Sequence, residues 1–242
     1  MTVFKLLLIA HLFGDYYCQP TCLVEKKKNS IKGLILHVLI YTLLIFLVLL
    51  LFGNVWEIII WSVIVFTTHF LIDYTRVKLT KKYDERVSFW SFIVDQILHI
   101  AIIFIISLII KDDLNSIGNA IHNISFLKDV NFNEVITYFL AFLIVLTPAS
   151  VFIKHLFNYV FNKKDVCENV DSDNVGLLIG WLERVVILLL GILGMYGSIA
   201  LVLTAKSLAR FKQLENKEFA EKYLVGTLIS LVIALLTLLI IK

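Results

Sequence analysis

Residues 33–52, GLILHVLIYTLLIFLVLLLF, run for twenty positions without a formal charge. As a helix, about twenty such residues span the hydrocarbon core of a bilayer. In that solvent the backbone must satisfy its own N–H and C=O groups, and a single segment does so only as a helix. The pattern recurs along the chain, at about 3–20, 33–52, 55–74, 89–110, 134–157, 175–193, 196–209 and 222–241. Charged residues make up 17% of the whole, against about a quarter in soluble domains. The reading is an all-α, polytopic transmembrane helical bundle of about eight membrane segments. The first segment has one lysine before its apolar run and no convincing small-residue cleavage site, so it is read as a retained span or re-entrant helix.

Charge distribution gives the expected orientation. Basic residues gather at 26–32, at 76–86, at Lys163 and Lys164, and at 206–222. With eight segments all four clusters fall on one side, which the positive-inside rule makes cytoplasmic. The opposite loops hold only Lys111 and Lys128. The three glycines in GILGMYGS, 191–198, predict the break that splits 175–211 into the segments 175–193 and 196–209. Pro20 should end the first helix, and Pro148 should kink the fifth. The polar stretch 111–133, expected outside the membrane with a short interfacial helix, divides the chain into a half at 1–110 and a half at 134–242. No basic stripe with interleaved aromatics points to nucleic acid. Cys18, Cys22 and Cys167 are odd in number and lack zinc-knuckle spacing, so they read as small buried or interfacial residues.

Within the first half, histidine and aspartate occur four apart three times: His11/Asp15, His69/Asp73 and Asp95/His99. That spacing is one helical turn, which puts each pair on one face. Asp15 precedes the first basic cluster by eleven residues, His37 follows it by five, and Asp73 stands three before Arg76. At about 1.5 Å per residue these side chains converge on the cytoplasmic third of the membrane, from four helices. Seven groups costly to bury alone thereby reach one depth. Imidazole and carboxylate without thiolate suit a divalent metal: zinc first, with manganese or iron also fitting, and one to three ions for seven ligands. The expected metal ligands are His11, Asp15, His37, His69, Asp73, Asp95 and His99. Gln19, Gln96 and Arg76 are placed to position a phosphate, and Tyr41 to orient a ligand. His122 and His155 read as solvated or interfacial.

The order HxxGDxxxQP, a lone histidine on the next helix, HFLID and DQxxH resembles the bacterial membrane proteins grouped as domain of unknown function 3307. LIGWLERVVILLLG, AKSLARF and EKYLVGTLIS in the second half are similar to longer members. The resemblance implies a multi-pass protein of the bacterial inner, cytoplasmic membrane. More distantly, HLFGDYYCQP resembles the HxxGDxxQP-type segment of zinc-dependent phospholipase C and the related single-strand nucleases. That likeness implies His11 and Asp15 as ligands and phosphate-ester hydrolysis as the reaction. The chain departs from those enzymes in lacking the histidine after Gly-Asp.

The resulting expectation is a membrane-embedded, metal-dependent hydrolase of a phospholipid or lipid-linked phosphate ester, with membrane lipids as partners. Two other readings use the same groups: a transporter or ion and proton pathway, and a non-catalytic assembly protein whose polar cluster fixes helix packing. In the second half Glu183 and Arg184 should pair or line a cavity. Lys206 and Arg210 either follow the positive-inside bias or meet a lipid phosphate, and GTLIS at 226–230 reads as a packing surface.

Overall fold

The computed structural model describes residues 2–82, 85–110, 112–123, 131–161 and 170–241. Lys111, Lys128, Lys163, Lys164 and Cys167 lie outside them. The chain opens with α1 (Thr2–Leu12), a π-helical turn (Phe13–Tyr17) and the short α2 (Thr21–Asn29). Then come α3 (Ile31–Leu49), α4 (Val55–Lys82), α5 (Glu85–Ile109), α6 (Ser116–His122), α7 (Phe132–Val145) and α8 (Thr147–Val160). The last elements are α9 (Val170–Ile192), α10 (Tyr196–Ala209), a 3₁₀ turn (Phe211–Glu215) and α11 (Lys217–Ile241). No strand occurs among the described residues.

Among the described residues, six stretches are long and apolar enough to cross a membrane: 31–49, 55–81, 86–109, 132–160, 175–192 and 217–241. The chain is a multi-pass membrane protein. The other two predicted segments are shorter. The first is an 11-residue α-helix followed by a five-residue π turn, and α10 has 14 residues. The spanning helices are apolar on every side: α3 buries Leu34, Val38, Ile45 and Leu49 while exposing Leu36, Leu39, Leu43 and Leu47. A helix apolar all round belongs in a hydrocarbon surround.

Residues 1–140 and 141–242 form two compact units. In the first, α4 packs on α3 and α5, α1 on α3 and α5, and α2 on α3. Val3, Leu7, Ile45, Leu49, Val65, Ile103 and Ile106 form its apolar interior. Polar side chains tie its corners. Asn54 and Glu57 cap the head of α4 reciprocally: Asn54 Oδ1 accepts from Glu57 N at 3.0 Å, and Glu57 Oε2 from Asn54 N at 3.3 Å. Asn115 caps α6 and donates back to the carbonyls of Leu50 and Gly53 at the end of α3. That helix is the one expected within 111–133. Pro20 ends the first helical run and stands as N-cap of α2, its ψ of 157° being extended.

In the second unit α9 packs on α8, α10 and α11. Pro148 has no N–H to donate, and the fifth segment breaks just before it, at Leu146, where ψ is −109°. Arg184 of α9 fills the gap. Its Nε donates to Val145 O at 2.5 Å, and its Nη2 donates to Leu146 O at 3.3 Å and Ser150 Oγ at 2.5 Å. Glu183 Oε2 accepts from Lys206 Nζ at 2.5 Å. The two buried charges predicted in α9 are thus partnered. Gly194, with φ +72°, makes the turn between α9 and α10 inside the predicted GILGMYGS break. Ser230 and Gly226 of the GTLIS segment face Arg184 and the Phe157 ring respectively.

Candidate metal centre

The π turn shapes one wall of the centre. Cys18 N donates to Phe13 O at 2.7 Å, an i→i+5 bond that widens the helix where Asp15 projects. Gly14 sits inside this turn against Tyr41. A Cβ there would lie 2.6 Å from Tyr41 Cδ2, so glycine is what lets α3 approach. The Tyr41 ring stacks on His69 with centroids 3.8 Å apart, and its hydroxyl lies 3.2 Å from His11 Nδ1. The glycine of HLFGD therefore has a packing reason, and Tyr41 connects α1, α3 and α4.

All seven expected ligands converge in the first unit. His11, His37, His69, Asp73, Asp95 and His99 are buried, and the Asp15 side chain is 9% exposed. His37 Nε2 and His69 Nε2 face one another at 3.2 Å. Asp73 Oδ2 lies 3.3 Å from each of them, and Asp15 Oδ1 lies 3.4 Å from His37 Nε2 and 3.7 Å from His69 Nε2. A tetrahedral ion with bonds of about 2.0 Å has donor–donor edges of about 3.3 Å. The face made by His37, His69 and Asp73 has that size. Two triads hold donor atoms mutually within 4.8 Å: Asp15, His37 and His69, and then His69, Asp73 and His99.

The donors are also short of partners. His37 Nδ1, His69 Nδ1, Asp95 Oδ1 and both ring nitrogens of His99 form no hydrogen bond among the described residues. A buried polar atom left without a partner costs about 1–3 kcal/mol. His99 is 2% exposed, and its ring lies 4.2 Å from that of His69. The donor set therefore fits a divalent cation, which would meet the Nε2 atoms of His37 and His69 and take up a lone pair of His99 and of Asp95 that nothing in the chain uses.

Around the donors lies a supporting layer. Gln96 Oε1 accepts from Tyr16 OH at 2.7 Å and lies 3.3 Å from His11 Nε2. Its Nε2 donates to Asp95 Oδ2 at 3.0 Å and reaches Asp15 Oδ2 at 3.5 Å. Arg76 Nη1 donates to Asp95 Oδ2 at 3.0 Å, with the arginine side chain 23% exposed. Gln19 is not brought in. It is half-buried in the short link before α2, and its side chain makes no hydrogen bond among the described residues. His122 is exposed and Cys22 is exposed, while Cys18 is half-buried.

Two contributors escaped the sequence reading. Tyr16 had no spacing to mark it. Lys27 stood in a KKK run read only as part of a cytoplasmic basic cluster, yet it is buried, with Nζ 2.6 Å from Asp73 Oδ2. The available signal was the i,i+4 relation of Leu23 and Lys27, the two buried residues of α2.

Comparison with curated proteins and with solved structures returned no match. A family model described as "Protein of unknown function (DUF3307)" matches residues 3–127, just over half of the chain and the stretch that holds all seven converging side chains. The chain belongs to the DUF3307 family.

Proposed function

We propose that the protein is a membrane-embedded, metal-dependent hydrolase of a phosphate ester carried by a lipid or a lipid-linked intermediate. The observation that carries this is His99: buried, without a hydrogen bond on either ring nitrogen, and within one donor triad with His69 and Asp73. The ligands in this reading are His11, Asp15, His37, His69, Asp73, Asp95 and His99, with zinc the first choice and manganese or iron as alternatives. A bound divalent ion polarises phosphoryl oxygen and makes hydroxide available near neutral pH. Arg76, the most exposed charged side chain at the cluster, supplies a fork of N–H donors for a phosphate oxygen. Gln96 holds Asp15, Asp95, His11 and Tyr16 in register.

The lipid character of the substrate follows from the setting. The donors sit on helices apolar all round, near the basic runs 26–32 and 76–86, which favours the cytoplasmic face of a bacterial inner membrane. The short likeness of HLFGDYYCQP to zinc-dependent phospholipase C favours phosphate-ester chemistry. A pathway across the membrane is less well supported, because the interior beyond the cluster is lined by Leu7, Ile45, Leu49, Val65, Ile103 and Ile106. The test is elemental mass spectrometry on detergent-purified protein, wild type beside His69→Ala and Asp73→Ala, followed by a screen of phosphomonoester and phosphodiester lipids. Stoichiometric metal lost in folded variants, with metal-dependent release of a phosphate-bearing product, is the expected result. A folded wild type that binds no added zinc, manganese or iron refutes the reading.

A further inference from the structure

We infer that the Lys27 ammonium occupies a divalent-cation position at Asp73, so the centre takes one ion fewer than its donors can hold. The inference rests on the metal reading above and concerns the occupancy of that same site. Lys27 and Leu23, one turn apart, form the inward face of α2, while Lys26 and Lys28 are exposed. Of three adjacent lysines, one is placed in the cluster and two in solvent.

The corner that delivers it is specifically built. Ser30 caps α3 by accepting from Gly33 N at 3.0 Å, and its hydroxyl donates to Lys26 O at 3.1 Å. A Cβ on Gly33 would come within 2.4 Å of the Lys26 carbonyl carbon, so only glycine lets the end of α2 press onto the start of α3. That close turn brings Lys27 Nζ to 2.6 Å from Asp73 Oδ2, an oxygen belonging to the His69–Asp73–His99 triad. The other triad, Asp15–His37–His69, contains no atom paired with Lys27. Asp73 is thus met by a tethered cation, and the remaining donors, His99 among them, are left for an exchangeable one.

Charge balance points the same way. With carboxylates ionised and histidines neutral, Asp15, Asp73 and Asp95 carry three negative charges against Lys27 and Arg76. The single negative charge left over matches one divalent ion together with a hydroxide or one phosphate charge. Without Lys27 the excess is two, and a second divalent ion in the ammonium's place raises the net charge by only one, which a further hydroxide or phosphate charge meets. In phosphoryl transfer the second cation of a two-metal site steadies the leaving oxygen. Lys27 is the group in this chain placed to meet that charge with an ammonium.

The experiment is zinc and manganese titration of the full-length protein in detergent, read by bound equivalents after desalting and by calorimetric Kd, for wild type, Lys27→Gln and Lys27→Arg. Because Lys27→Gln uncovers a buried carboxylate, its thermal midpoint is followed with and without metal; the expected rise on metal addition exceeds that of wild type. One equivalent in wild type and in Lys27→Arg, with a second in Lys27→Gln, is the expected outcome. Metal bound only by Lys27→Gln keeps Lys27 as the occupant but sinks the hydrolase reading. Equal stoichiometry and equal Kd in wild type and Lys27→Gln, with metal bound, overturn the inference and leave that reading standing. No metal in any of the three overturns both.

Discussion

Replacing His99 by leucine separates a metal ligand from a buried packing residue, because the two roles predict opposite signs. His99 is 2% exposed and neither ring nitrogen finds a hydrogen bond among the described residues. A buried unsatisfied polar group costs about 1–3 kcal/mol, and exchanging it for an apolar side chain of similar size recovers part of that. In chelator, His99→Leu should therefore be the more stable protein, by about 2–8 °C in thermal midpoint for a chain of this length. With metal present the order should reverse. An ion at a hundred times its Kd adds about 2.7 kcal/mol to the protein that binds it, and the variant forfeits most of this. The assay is thermal unfolding in one detergent at one scan rate, with chelator and with saturating zinc, alongside bound metal by mass spectrometry. A variant that keeps the wild-type metal content, or shifts the same way in both conditions, refutes the assignment of His99.

Gly14→Ala should push the Tyr41 ring off His69 and cost about 1–3 kcal/mol by overpacking, with loss of metal measured on the folded fraction. Tyr41→Phe keeps the stacking and removes only the contact to His11, so it should cost about 1 kcal/mol in unfolding and retain metal. Arg184→Met should leave the Val145 carbonyl without its partner at about 1–3 kcal/mol, read as a lower midpoint with metal content unchanged. Asp112 accepts from the N–H groups of Thr2 and Val3 at 2.9 and 3.1 Å. Partial burial pushes its carboxyl up, but the hydrogen bonds it accepts, these two among them, outweigh that and hold the group below the usual carboxylate range. A depressed folded value means the contribution is full above the unfolded value and fades as pH falls through the folded one. Asp112→Ala should thus speed amide exchange at Thr2 and Val3 near neutral pH, at a cost of about 0.5 kcal/mol for so exposed a group, and the difference should vanish in strong acid.

The centre was legible to the extent that helical periodicity governs it. His11/Asp15, His69/Asp73 and Asp95/His99 each keep one face because four residues nearly complete a turn, and the basic flanks gave the reason to expect them together. Pro20, Pro148 and the glycines at 191–198 marked real breaks for the same local reason. What local pattern could not supply was tertiary contact. The π turn at 13–17 exists because Tyr41 packs beneath Gly14, a contact between residues 27 apart in sequence. Lys27 was counted only in a basic cluster because a KKK run carries no mark of which lysine turns inward, and the docking of α2 on α3 supplies that. Gln19 was expected at the cluster as if the first helix continued through it, but the helical run ends before it.

The chain also contains its own comparison for the metal reading. The second unit buries a polar network too, and Arg184 there is committed to Val145 O, Leu146 O, Ser150 Oγ and Ser230 Oγ. That is how a network that only fixes packing behaves: its donors end on acceptors supplied by the fold, here the carbonyls of Val145 and Leu146 at the helix break and two serine hydroxyls. The first unit spends histidines differently. Both ring nitrogens of His99 are left without a hydrogen bond beside His69 and Asp73. Selection for helix packing alone gives no reason to keep such atoms, since leucine or phenylalanine would fill the space without the desolvation cost. A cation gives that reason, because it binds the lone pairs that packing leaves idle. The two networks should therefore fail in different orders. Truncating Arg184 should lower the unfolding midpoint with metal content intact, whereas truncating His69 should release metal while the chelator-treated protein stays folded. Equal loss of fold in both cases, with metal absent throughout, would make the first cluster a packing device like the second.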